Sequence, residues 1–253
     1  MNEILFEISE HVAEITINRP EKGNALNEAV RNGLFDAFGR ANEDPECRVV
    51  ILTAMGERTF CAGADLVELA TIGVSTPPKD YMPILGRNVD HPKPVVAAVN
   101  GMALAGGFLL VQMCDLVIAS STATFAITEA RRGRGSPWAV PLTRMLPRRI
   151  VTELLITAEP LSAARAFELG FVNAIAEPSE LMTRARTMAR IIASNAPLTV
   201  KATLKMLQHV DEMGLRSAEL VADEIFREVY LSEDAREGPL AFKEKREPVW
   251  KGR

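Results

Sequence analysis

The stretch Pro94-Val-Val-Ala-Ala-Val-Asn-Gly-Met-Ala-Leu-Ala-Gly-Gly-Phe-Leu109 carries the reading of the fold. Pro94–Val99 is short, continuous and apolar, as a strand covered on both faces should be. Gly101–Gly107 is a turn of glycine and small apolar residues, and Phe108–Met113 resumes with helical character. The same order occurs upstream, where the apolar run Val49–Thr53 precedes Arg58-Thr-Phe-Cys-Ala-Gly-Ala-Asp-Leu66, a small-residue turn feeding a helix. Leu116–Ala119 and Thr124–Ile127 read as two further short strands. Strands alternating with helices predict crossover α/β units rather than a sandwich. No repeat is legible residue by residue, so the expectation is of similar ββα-like units.

Toward the N-terminus, Ile4–Ile8 and Val12–Ile17 alternate apolar and polar residues around Ser9–His11, which predicts a hairpin. Asn18-Arg-Pro-Glu-Lys-Gly-Asn24 is rich in turn formers. From Asn27 the spacing of Val30, Leu34, Phe35 and Phe38 is helical, and Asp44-Pro45 closes that helix. Beyond Pro147 the pattern becomes helical: Ile150–Ile156, Ala163–Leu169 (capped by Ser162 and stopped by Gly170) and Leu181–Ile192. Val200–Glu212 and Leu215–Leu231 are long amphipathic helices. The chain thus divides into an α/β core over 1–192 and a helical region over 193–253. That tail is too small for its own core, so its apolar faces must cover the body or another subunit, and an oligomer is expected.

Composition narrows the function. The 253 residues carry 29 Lys+Arg against 33 Asp+Glu, a net charge of −4, which argues against a nucleic-acid or polybasic membrane surface. Acidic residues near the start leave no room for a signal peptide, and the longest apolar runs fall short of a membrane span. A soluble cytoplasmic protein is expected. Cys47, Cys61 and Cys114 are too far apart for a zinc pattern, and His11, His91 and His209 are equally scattered. No metal site is predicted, and the chemistry should rest on carboxylates, hydroxyls or backbone groups.

The two small-residue turns are where chemistry could sit. Gly63 and Ala64 allow close approach to the backbone, and free N–H groups at a helix start attract an oxyanion. With the turn at Asn100–Gly107, two donors could converge on one carbonyl oxygen. Equally, both could be plain strand-to-helix turns. The G-x-G-x-x-G spacing of a dinucleotide site is absent from both.

Taken together, Asn18-Arg-Pro-Glu-Lys-Gly-Asn-Ala-Leu-Asn27, Phe60-Cys-Ala-Gly-Ala-Asp-Leu66 and Lys93-Pro-Val-Val-Ala-Ala-Val-Asn-Gly101 resemble the crotonase (enoyl-CoA hydratase/isomerase) superfamily. So do Ala103-Leu-Ala-Gly-Gly107, Cys114-Asp115, Ala123 through Glu129, and Ala241-Phe-Lys-Glu-Lys-Arg246. The matches occur in family order along nearly the whole chain. The resemblance implies a crotonase-like α/β spiral of ββα units with a helical C-terminal trimerisation region, and a homotrimer or dimer of trimers. It implies acyl-CoA thioester substrates, CoA entering with the substrate and no separate cofactor. The N–H groups matching the oxyanion hole are those of Ala64 and Gly106. Lys22, Ala25, Leu26 and Ala62 match the lining of the CoA adenine site, and Asp65 and Leu66 match positions flanking the pantetheine. Phe242 and Lys245 match a pair that reaches a neighbouring subunit's CoA.

Hydratases of this family use two glutamates to hold and deprotonate water. Glu129 matches the second; where G-G-x-Glu should supply the first, this chain has Gly106-Gly107-Phe108-Leu109. Leucine can neither accept a proton nor orient water. A single carboxylate suits the transfer of a proton between two carbons of one substrate, as in single-glutamate enoyl-CoA isomerases of the family. An apolar neighbour such as Leu109 should raise the pKa of Glu129. The alternatives are hydration by atypical water activation, a CoA-binding protein without turnover, and a Glu129 that is merely a surface acid paired with Arg131 or Arg132.

Downstream, Gly133-Arg-Gly-Ser-Pro-Trp-Ala-Val-Pro141 departs from the family pattern, and Trp138 should stiffen and fill the region shaping the acyl pocket. Arg131, Arg132 and Arg134 could meet an anionic acyl group or form a solvated face. Cys61 and Cys114 are expected to be packing thiols. His91 should lie on the surface, and no histidine is expected to be catalytic.

Overall fold

The computed structural model describes residues 2–73, 76 and 78–253. Strands β1 (Ile4–Ser9) and β2 (Val12–Ile17) form the predicted antiparallel hairpin, with Glu10 and His11 both at positive φ in its two-residue turn. Helix α1 (Glu28–Glu43) starts at Asn27, whose side chain accepts from the N–H of Val30. Then come β3 (Val49–Ala54), β4 (Thr59–Cys61), α2 (Leu66–Ile72), β5 (Val95–Val99), β6 (Met102–Leu104), α3 (Gly106–Gln112), β7 (Leu116–Ser120) and β8 (Thr124–Ala126). The order continues with α4 (Leu142–Met145), α5 (Arg148–Thr157), β9 (Leu161–Ser162), α6 (Ala163–Glu168), β10 (Ala174–Ala176) and α7 (Leu181–Ala193). Three helices follow: α8 (Pro197–Glu212), α9 (Leu215–Leu231) and α10 (Asp234–Glu244).

Two sheets result, in the orders β1-β2-β3-β5-β7-β10 and β4-β6-β8-β9. In the first, β2, β3, β5, β7 and β10 pair in parallel; in the second, β4, β6 and β8 do. Each turn of chain therefore lays one strand in the first sheet and the next in the second before a helix returns. This is the ββα unit of the expected spiral. The turns at Arg58–Ala64 and Gly101–Gly107 correct the sequence reading, because each contains a three-residue strand, β4 and β6. Such strands are too short to show an alternation.

Gly107 explains how close the layers come. A Cβ there would overlap the carbonyl of Cys61, so glycine lets α3 lie directly on β4. On the other face of the first sheet, Leu181, Ala185, Ala189 and Ala193 of α7 form a buried stripe against Val49, Ile51, Val96 and Ile118. The i,i+4 alanines keep that helix near the strands. The larger core, including Phe38, Phe60, Phe108 and Phe125, fills the space between the two sheets and α1 and α3.

Helix α10 lies within the expected helical region 193–253, with Pro239 inside it. Helices α8 and α9 pack on each other, and α9 on α10. No helix among the described residues is long and apolar enough to cross a membrane.

Candidate active site

The segment after β2 is stitched to the turn before α2. Leu26 N–H donates to the Gly63 carbonyl (2.8 Å) and Ala62 N–H to the Gly23 carbonyl (2.9 Å). Asn24 is wholly buried at φ 54°; its Oδ1 accepts from Arg19 N–H, and its Nδ2 donates to the carbonyls of Met55 and Thr59. Arg19 Nη1 donates to Asp65 Oδ2 (2.7 Å) and to the Ala25 carbonyl (3.2 Å). Asp65 in turn caps α2 by accepting from Val67 and Glu68 N–H. The Arg19 hydrogen bond holds its carboxyl below the usual range. Arg31, under the same turn, donates to the Leu26 carbonyl and to Tyr81 Oη and pairs with Glu68.

This stitching brings the two small-residue turns side by side. In the parallel bridge between Leu26 and Ala64, the bonds run from Leu26 N–H to Gly63 and from Asp65 N–H to Leu26. Ala64's own N–H therefore faces away from Leu26. Gly63, at φ 88°, sits so close to the second turn that a Cβ on it would lie 3.2 Å from Gly106 N. A Cβ on Gly106 would lie 3.8 Å from Ala64 N. Ala105, the residue before α3, adopts φ 50°, ψ −119°, a conformation L-residues rarely take. Its N–H is tied to the Ala126 carbonyl, and the strain falls where the Gly106 N–H is aimed. Among the described residues, neither Ala64 N–H nor Gly106 N–H donates to another group of the chain.

Glu129 opens a short 3-10 turn, Glu129–Arg132, just after β8. Its Oε1 accepts a 2.9 Å hydrogen bond from Trp138 Nε1, while Oε2 is buried with no partner. Burial raises the carboxyl pKa, partly offset by the N–H groups of Glu129, Trp138 and Thr128. Against the surface-acid alternative, Arg131 pairs with Glu159 at 2.6 Å, and the contact Glu129 makes is with Trp138. Leu109 is buried on α3, beside Phe108, whose ring meets Trp138 edge-on at 6.3 Å.

Burial holds the Cys61 thiol at about 12 and Cys114 well above its ordinary value, so both pack rather than react, as expected. His91 is corrected too. Its side chain is 7% exposed and its Nε2 lies 2.9 Å from Asp115 Oδ2, because Asp115 also accepts from Val95 N–H and draws the loop against β5.

The family model for enoyl-CoA hydratase/isomerase matches residues 7–253. The chain belongs to this family. Carnitinyl-CoA dehydratases of Salmonella paratyphi A and Salmonella agona are 39% identical over 252 residues, covering 96% of this chain and 95% of theirs. The crystal structure of an enoyl-CoA hydratase from Mycobacterium tuberculosis H37Rv superposes with a TM-score of 0.92 at 36% identity over 100% of both chains. That of an enoyl-CoA hydratase/isomerase from Mycobacterium paratuberculosis gives 0.90 at 37% identity, covering 99% of each. The protein is an acyl-CoA enzyme of the crotonase superfamily, and its two-sheet α/β architecture is the family's.

Within this family site, the positions matched to CoA are unequally placed. Lys22 and Ala62 are exposed and Leu66 is half exposed, whereas Ala25 and Leu26 are buried, their carbonyls occupied by Arg19 and Arg31. Phe242 is 87% exposed on α10, and Lys245 is its left-handed terminal residue; among the described residues no hydrogen bond or ion pair connects either side chain to the turns. Sequence reasoning missed Arg19, Asn24 and Arg31, which fix the turn without facing its open side. An asparagine after Gly23 in a turn was the available signal.

Proposed function

We propose that this enzyme moves the double bond of an enoyl-CoA, with Glu129 as its single acid/base. The observation that supports the reading is the combination of a half-buried Glu129, raised in pKa and with its buried Oε2 unpartnered, and a leucine rather than a carboxylate at position 109. The thioester oxygen would accept from Ala64 and Gly106 N–H, and the C2 proton would pass to Glu129. The C2–H electron pair enters the enolate and, as the thioester carbonyl re-forms, becomes the C2–C3 π bond, while the C3–C4 π pair takes the same proton at C4. Two N–H donors favour the charge that develops on oxygen, and each such donor is typically worth about a hundredfold or more in rate. We assign CoA to Lys22, Ala25, Leu26, Ala62, Asp65 and Leu66, with Phe242 and Lys245 reaching a neighbouring subunit in a trimer or dimer of trimers.

The names of the carnitinyl-CoA dehydratases favour a second reading, in which Glu129 alone removes the C2 proton and returns it to a leaving hydroxyl. Purified enzyme given 3-enoyl-CoA, 2-enoyl-CoA and 3-hydroxyacyl-CoA separates the two. Double-bond movement faster than water addition or loss is expected; water exchange at a comparable rate would sink the single-base isomerase. Leu109→Glu should gain hydration, since it restores the missing carboxylate.

A further inference from the structure

We infer that Trp138 is a positioning residue for Glu129, its indole N–H fixing Oε1 so that Oε2 alone takes up and returns the proton. The inference rests on the reading of Glu129 as the base. Trp138 is held at both ends. Its ring lies edge-on to Phe108, which packs with Phe125 and Phe171 at centroid distances of 5.5 and 5.4 Å. Its carbonyl accepts from Gln112 Nε2 at 3.0 Å, and Gln112 is 4% exposed. Because a carbonyl can only accept, the NH2 end of Gln112 must face it. Phe108 and Gln112 stand one turn apart on α3, so a single helix grips both the ring and the backbone of Trp138. Pro137 and Pro141 flank the residue and restrict the chain around it.

An indole nitrogen donates and never accepts. Oε1 can therefore serve as its acceptor whether Glu129 is ionised or neutral, and the proton belongs on Oε2, which has no partner. A carboxyl pinned at one oxygen does not swing while it moves a proton from one carbon to the next. The same bond favours the ionised form and opposes the burial that raises the pKa. Among the described residues, the ionisable groups on this turn and on the helix packed against it are Arg131 and Arg132, then Arg134 just beyond the turn, and Arg148, Arg149 and Glu153 on α5. Arg131 is engaged by Glu159, and α3 and β8 carry no ionisable side chain.

Trp138→Phe keeps an aromatic ring against Phe108 and removes the donor. It should lower kcat about tenfold or more, leave KM within about twofold, and move the acid limb of the kcat profile up by about one pH unit. A structural loss alone would not move that limb. Gln112→Leu should shift it in the same direction by less. A readout independent of turnover is the indole difference spectrum of the wild type. It should titrate with Glu129 and be flat in Glu129→Gln, because Trp250 donates to the Ser194 carbonyl, which does not titrate. A wild-type spectrum without that titration overturns the inference even if Trp138→Phe fails to fold. So does a folded Trp138→Phe with unchanged kcat and acid limb. If Glu129→Gln is inactive while Trp138→Phe behaves as wild type, only this inference fails. If Glu129→Gln stays active, the assignment of the base fails instead.

Discussion

At the residue scale, Glu129 sets function against stability. Its folded pKa is raised by burial, so the native state holds its proton more tightly than the unfolded chain does. The stability this contributes is complete below the ordinary carboxylate range and is lost as pH rises through the raised value. Glu129→Gln, which cannot ionise, should therefore unfold at a higher temperature than the wild type near pH 8, with the difference shrinking toward pH 4. Thermal melts across that range check it; a variant that melts lower at pH 8 would show that ionised Glu129 is held favourably. The same substitution should cost at least about a hundredfold in kcat while leaving CoA-thioester affinity within a few fold. In the proposed mechanism Ala64 and Gly106 act through backbone N–H groups, so no side-chain deletion would remove their contribution.

At the element scale, the site exists because two sheets approach closely enough for successive turns to touch. Gly107→Ala should cost about 1–3 kcal/mol, since its methyl meets the Cys61 carbonyl and neither β4 nor α3 has space to yield. A melting temperature lower by several degrees checks it. Asp65→Ala removes both the α2 cap and the shorter of the two ion pairs of Arg19, which keeps Glu3 at 3.5 Å; about 1 kcal/mol is expected from the cap, and somewhat more with the lost pair. The long elements were legible because their patterns are long: the β1–β2 hairpin, α1 after Asn27, and α7 through α9. Strands β4 and β6 were not, since their stability comes from parallel partners far along the chain, Thr59 with Met102 and Ala103 with Phe125. The closeness of the two small-residue turns was open to expectation from their residue types, whereas Glu129 was singled out by the family resemblance. The grip of Trp138 on Glu129 was not legible, because the chain between them, with its two glycines and Pro137, has no period.

At the scale of the whole molecule, the helical tail leaves apolar surface that a single chain does not cover. Leu215, Leu220, Tyr230 and Leu231 of α9 are each 70% exposed or more, and Phe242 on α10 is 87% exposed. Leu220 and Leu231 stand about three helical turns apart and so share one face. Burying such a leucine is worth roughly 1.5–3 kcal/mol, and in a closed trimer the gain recurs at every interface. Light scattering on the eluting protein should give about three or six times the 27.7 kDa chain mass. Leu220→Glu with Leu231→Glu should yield a folded monomer, judged by unchanged far-ultraviolet circular dichroism. If Phe242 reaches across to a neighbour's CoA, that monomer and an assembled Phe242→Ala variant should both raise KM several fold. In the assembled variant kcat should hold, because the proposed base Glu129 and the proposed oxyanion donors all belong to one chain. A wild type that elutes as a monomer would place the covering of α9 elsewhere. A charged double variant that stays trimeric would show that α9 does not form the interface.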